Sequence, residues 1–337
     1  MRVDDRFDEL AAALGWFYGA WTIALGIELG LFVRLREAGP AGLLPEELAA
    51  AAGCAGSPVA GWCRAAYASE LVDHAEGRFV LGHETAAILL DEESPEYLGG
   101  QFAYAATASL DWGRMVELFR AGRSLDERPP RHSRAVEQLT RQDIAIFFEE
   151  ALAALPDLVT ELVQGARAVD VHCGGGRWLV AVARRFPETR LLGIESEPDS
   201  VARAMRHVQE AGLEDRVRIE ARDEATLAHA GEFDLAYFQH ALHELRRPVE
   251  GLAAAWRALR PGGRLLVLGW CLPERIEEYG SLHGQLISGV DLDEMLGGGR
   301  LRTIAEHADL FRTAGLPEPA AIALPSGATL LVARRED

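Results

Sequence analysis

The sequence predicts an α/β protein: a doubly wound parallel sheet in the C-terminal half, behind an all-helical N-terminal region with a small hairpin. Three observations predict it. From about residue 156, apolar strand-like runs alternate with amphipathic helical ones. Gly174, Gly175 and Gly176 join the first of these strands directly to its helix. The chain closes on two short apolar runs around Ser326-Gly327, which places an antiparallel pair at the sheet edge.

Residues 1–95 read as short helices followed by a hairpin. Pro45 opens and Gly53 closes a helix over 43–53. Ser57-Pro58 opens a second helix running to about Leu71, with Ser57 as its N-cap. Glu76-Gly77, between short extended pieces in 73–82, marks a two-stranded turn. Helix, helix and a two-stranded wing make the winged-helix pattern. A DNA reader would aim several basic residues of the second helix at phosphates and bases. Here 57–71 hold Arg64 alone, offset by Glu70, so the region is expected to serve packing.

Residues 96–155 read as aromatic-rich helices broken at Pro129-Pro130, a linker expected to contribute to a substrate pocket. Within 156–337, strands are expected at 166–173, 189–195, 216–221, 233–238 and 264–270. Helices are expected at 176–186, 198–212, 249–263 and 303–315.

Composition excludes several classes. With 34 Lys+Arg against 52 Asp+Glu the net charge is −18, which disfavours a nucleic-acid partner. Every basic residue is arginine, so a Schiff-base lysine and a P-loop lysine are both out of reach. Cys54, Cys63, Cys173 and Cys271 form no C-x-x-C pair and read as reduced thiols of a cytoplasmic protein. Residues 10–27 form an uncharged run of 18, at the lower limit of a membrane span, and include Gly15-x-x-x-Gly19. The run is rich in Ala and Gly, with Asp4, Asp5, Asp8 and Glu9 before it and Glu28 after. That pattern favours a helix buried against another helix or a second subunit over a membrane anchor or signal peptide.

The chemistry gathers at the first glycine turn. VDVHCGGG (169–176) leads from strand into helix, where glycines let a ligand approach outward-pointing backbone N–H groups. The dinucleotide fingerprint would need a third glycine at Leu179, so a pyrophosphate reader is disfavoured. Asp170 lies inside the strand, within reach of loop amides or a cationic amino group. Glu195 closes the second strand, where an acidic residue can take ribose hydroxyls. Asp223, just past the third strand, is placed for an adenine amino group.

VDVHCGGG, GIE (193–195), AGLEDRVRIEARD (211–223), FDLAYFQHALHEL (233–245) and LRPGGRLLVL (259–268) resemble the successive motifs of class I S-adenosylmethionine-dependent methyltransferases. The nearest subgroup is the small-molecule O-methyltransferases of the caffeic-acid and hydroxyindole type. The resemblance implies a seven-stranded Rossmann-like sheet with one antiparallel strand. It implies S-adenosylmethionine held by Asp170, Gly174, Gly176, Glu195, Asp223 and Gln239, and an aromatic or polyketide-like acceptor. It also implies a homodimer formed through the N-terminal winged-helix domain, and a catalytic His243 that takes the proton of an acceptor hydroxyl.

The pattern breaks at three places. His172 stands where the subgroup has glycine, and Gly269 and Leu301 stand where it has acidic residues steering the histidine. Glu244 and Asp291 are the candidate substitutes. For His243 the residues leave four readings open: general base, substrate-positioning group, metal ligand with His240, Glu244, His283 or His307, or a histidine hydrogen-bonded within its loop. Two other functions compete with O-methylation: a C-methyltransferase, metal-assisted or not, and a fold repurposed as a lyase, cyclase or binding subunit.

Overall fold

A computed structural model describes residues 3–126 and 128–336. The chain opens with α1 (Val3–Glu28), α2 (Leu31–Ala38), α3 (Pro45–Ala52) and α4 (Gly56–Ala68), then the hairpin β1 (Asp73–Ala75) and β2 (Arg78–Val80). Next come α5 (His83–Leu90), α6 (Gly99–Ser109), α7 (Met115–Ala121), α8 (Pro130–Ile146), the short α9 (Leu152–Ala154) and α10 (Pro156–Val163). The alternating region follows as β3 (Arg167–Val171), α11 (Arg177–Arg185), β4 (Arg190–Glu195), α12 (Pro198–Glu210), β5 (Val217–Ala221), β6 (Phe233–Gln239), α13 (Pro248–Ala258) and β7 (Leu259–Gly269). It ends with α14 (Leu282–Gly297), α15 (Ile304–Thr313), β8 (Ala320–Ala323) and β9 (Thr329–Arg334). Two compact units result: Met1–Gly113 with Pro129–Ala145, and Arg114–Arg128 with Ile146–Asp337.

In the first unit, Leu31, Phe32, Leu35, Leu48, Trp62 and Phe79 form a shared core. Phe32 and Trp62 meet edge to face at 5.1 Å, and the Trp62 indole N–H donates to the Thr22 carbonyl at 2.8 Å. Gly26 makes this possible, because a Cβ there would fall 2.4 Å from Phe32 and 2.7 Å from Trp62. Among the described residues, α1 is the one helix long and apolar enough to cross a membrane by length and composition. Its C-terminal part is buried at Gly19, Thr22, Ile23, Ala24 and Gly26, while Phe7, Leu10, Leu14, Trp16 and Tyr18 are exposed. The β1–β2 turn falls on Glu76 and Gly77, both at positive φ. The expected Ser57 N-cap is corrected: α4 starts at Gly56 behind Ala55, with Ser57-Pro58 inside its first turn, where proline's missing N–H leaves no bond unmade.

In the second unit, seven strands lie in the order β5-β4-β3-β6-β7-β9-β8. β5, β4, β3, β6 and β7 run parallel, and β9 runs antiparallel to both its neighbours. Side chains alternate between faces. Val169, Val171, Ile194, Phe238 and Val267 pack with Leu252 of α13 and Phe311 of α15. On the opposite face, a Cβ on Gly193 would fall 2.6 Å from Leu179 of α11. Buried Phe147, Trp178 and Tyr237 stack beyond it, with Trp178 and Tyr237 at 4.5 Å. The strand order reverses between β3 and β6, and such a switch point opens a crevice outside the carboxyl ends of the strands. No expected element covers α14; glycines at 284 and 289 hide its helical period.

Candidate functional site

At that crevice the β3–α11 turn needs its glycines for different reasons. Gly176, at φ 69, caps α11, and a Cβ there would press to 3.1 Å from Ala204 of α12. Gly174, at φ 51, has open space beside it. Its N–H donates to Glu195 Oε2 at 2.9 Å, while Glu195 Oε1 accepts from the N–H groups of Ser196 and Glu197 at 2.8 and 2.9 Å. Glu195 is thus a buried carboxylate fixed by three amides at the end of β4.

Asp170 is buried inside β3, and its Oδ1 has no hydrogen-bond partner. Burial, reinforced by the charge of Glu195, pushes its carboxyl up to about 8. An orphaned buried carboxyl beside a glycine turn fits a ligand amino group at that spot. Asp223, after β5, is half exposed and pairs with Arg247 at 2.7 Å, whose hydrogen bond and charge hold it below the usual carboxylate range. Gln239 ends β6, where its Oε1 accepts from the Tyr237 hydroxyl at 3.4 Å.

His172 crosses this cradle. Its backbone sits at φ 66, and its N–H donates to the Ile194 carbonyl at 2.9 Å. Nδ1 lies 2.8 Å from Glu224 Oε1 and 3.8 Å from Glu195 Oε1; Nε2 lies 3.2 Å from Glu244 Oε2. Burial disfavours the charged ring, but the charges of Glu195, Glu224 and Glu244 outweigh it and hold its pKa well above the ordinary value. Burial raises the Glu224 carboxyl, and the hydrogen bond and charge of His172 reverse that and hold it low.

His243 follows β6. Its Nε2 stands 3.8 Å from both Glu244 Oε1 and Glu294 Oε2, the latter on α14. Burial lowers its pKa to about 4, helped by the nearby positive groups His240, His172 and Arg302 against Glu244. The Asp291 carboxylate accepts from the Leu301 N–H at 2.7 Å, and the carboxylates paired with His243 are Glu244 and Glu294 instead. Around Gly269 a cavity of about 20 Å³, the size of one water, is lined by His240, His243, Cys271, Arg302, His307 and Thr329.

Among the described residues, two groups have their donor atoms within 4.8 Å of one another: His172 with Glu195 and Glu224, and His243 with Glu244 and Glu294. In the first, three amides and an imidazole–carboxylate hydrogen bond account for the spacing. The second presents an imidazole nitrogen and two carboxylate oxygens, a donor set that suits a divalent cation. His283, across the Trp270 ring from His240, joins neither group. Sequence reasoning missed Glu224 and Glu294. Glu224 adjoins the singled-out Asp223, whereas Glu294 lies on the unexpected α14.

Comparison with known proteins fits this geometry. Residues 168–263 match the Methyltransf_25 family, a methyltransferase domain. A trans-aconitate 2-methyltransferase from Deinococcus radiodurans is 37% identical over 102 residues, covering 30% of this chain and 37% of that protein. A 27-O-demethylrifamycin SV methyltransferase from Amycolatopsis mediterranei is 28% identical over 166 residues, covering 45% and 60%. The chain spans 37–41% of the length of the first curated relatives it matches. Human N-acetylserotonin methyltransferase, solved with S-adenosylmethionine, superposes with TM-score 0.77 over 100% of both chains at 19% identity. Mitomycin 7-O-methyltransferase does so with TM-score 0.71 over 98% of both at 23%. Residues 168–263 thus match a methyltransferase domain, and the chain shares the fold of these two solved methyltransferases.

Proposed function

We propose that this protein methylates a small-molecule acceptor with S-adenosylmethionine as donor, at an acceptor oxygen. One observation carries the reading: Asp170, Glu195 and the amides of the glycine turn converge at the switch point, with His243 on the connection that leaves β6. Asp170 and Glu195 would take the cofactor's amino and ribose groups, Gly174 would let it approach the turn that Gly176 holds against α12, and Asp223 and Gln239 would border the adenine side. The cofactor supplies an electrophilic methyl group on sulfur. His243 Nε2, neutral at physiological pH, would accept the proton that the acceptor hydroxyl loses as its oxygen bonds the methyl carbon and the carbon–sulfur bond breaks, leaving S-adenosylhomocysteine. Glu294 orients the imidazole and balances the charge it gains. The exposed apolar residues of α1 support a homodimer through the N-terminal winged helix. The chemistry is tested by incubating the whole chain with the cofactor and a panel of phenolic and polyketide acceptors, reading products by mass. Cofactor binding without a methylated product across the panel would favour the lyase, cyclase or binding-subunit alternative.

One observation favours a second reading, metal-assisted C-methylation: the spacing of His243, Glu244 and Glu294. Metal analysis of the purified protein and turnover after chelation separate the two, since only the second loses activity with the metal.

A further inference from the structure

We infer that the His172 side chain is a displaceable occupant of the cofactor cradle, a ring that the nucleoside must move aside before it can bind. The inference rests on the cofactor reading above and concerns what governs access to that site. The turn from β3 to α11 is His172, Cys173 and three glycines, and position 172 adopts φ 66, a left-handed conformation that disfavours any residue with a Cβ. The ring it carries is held at both ends, with Nδ1 2.8 Å from Glu224 and Nε2 3.2 Å from Glu244. Each ring nitrogen faces a carboxylate oxygen, so the ring is latched from two sides. It lies 3.8 Å from Glu195 Oε1, the oxygen-bearing end of the ribose site.

A ligand seated on Glu195 at the carboxyl ends of β3 and β4 would share this space with the ring. Glu195 Oε1 already accepts two amides and Oε2 one, so a single lone-pair site, on Oε2, remains for a ligand hydroxyl. The ring's own contacts therefore set a closed state that competes with the ligand. Such competition weakens every ligand of the site by one common factor, the fraction of molecules whose ring is out of the way. A ring that instead touched the cofactor would strengthen binding, and would treat the charged donor and its uncharged product differently.

Calorimetric titration of the whole chain with S-adenosylmethionine and S-adenosylhomocysteine tests this. Glycine suits the φ at position 172, so His172→Gly should fold as the parent does, which a thermal melt checks. The expected result is binding of both nucleosides tightened by a similar factor, about tenfold or more. Glu244→Gln, which weakens only one end of the latch, should tighten both by a smaller factor. Unchanged or weaker binding in His172→Gly, or a change for one nucleoside alone, overturns the inference and leaves the cofactor reading standing. No binding by either parent or variant overturns the cofactor reading itself, and this inference with it.

Discussion

His243 Nε2 stands 3.8 Å from Glu294 Oε2, a pairing between the connection after β6 and a helix about fifty residues further along the chain. The gap is beyond hydrogen-bonding distance, but catalytic contacts are often long before substrate binds. Glu294→Gln keeps the shape and removes the charge. We expect kcat to fall about 10- to 100-fold with little change in nucleoside affinity. Unaltered kcat would remove Glu294 from the steering role.

The low pKa of His243 sets a pH signature. With the imidazole at about 4, the acid limb of kcat/KM falls near that value rather than near the ordinary histidine value of about 6.5. Stability follows the same direction. The folded state binds fewer protons than the unfolded chain between the two values, so stability drops as pH falls through that window. His307, also lowered to about 4 by burial, adds a second slope. Asp170, raised to about 8, works the other way over the same window. The His243 contribution is therefore read as the difference between denaturant melts of the parent and of His243→Asn from pH 4 to 7, the variant losing less stability toward pH 4.

Glu195 couples binding to stability. Replacing it with alanine leaves the N–H groups of Gly174, Ser196 and Glu197 without their acceptor. The cost should be about 1–3 kcal/mol, seen as a Tm lowered by several degrees. Glu195→Gln keeps one oxygen and should recover part of the stability but not of the nucleoside affinity.

Gly26 bears on the first unit alone. A side chain there meets Phe32 at 2.4 Å, so Gly26→Val should destabilise the chain by about 1–3 kcal/mol through overpacking. A chemical melt of the variant checks this.

The exposed apolar stretch of α1 is proposed as a homodimer interface. Light scattering should give the parent a dimer's mass and Leu14→Glu with Trp16→Glu half of it; a monomer's mass for the parent would remove the dimer, and an unchanged dimer mass in the variant would remove α1 from its interface.

Much of this was legible in the sequence because it is local. The glycines at 174 and 176, Asp170 and Glu195 all sit at strand ends that alternation and turn residues mark. His172 stood out as a side chain inside a glycine turn. What it touches did not, because Glu224 and Glu244 reach it from different crossovers of the sheet. Glu294 was hidden by a helix whose glycines obscure its period. Ser57 was misread because Ser-Pro is both a helix opener and a tolerated first-turn pair.

Calorimetric titration of the parent chain and of Glu195→Ala with S-adenosylhomocysteine decides whether a nucleoside sits on Glu195. The parent should show saturable one-site binding, and the variant should lose most of it. Absence of heat from the parent and from His172→Gly up to about 1 mM, where even about −4 kcal/mol of binding would register, would contradict the cofactor reading.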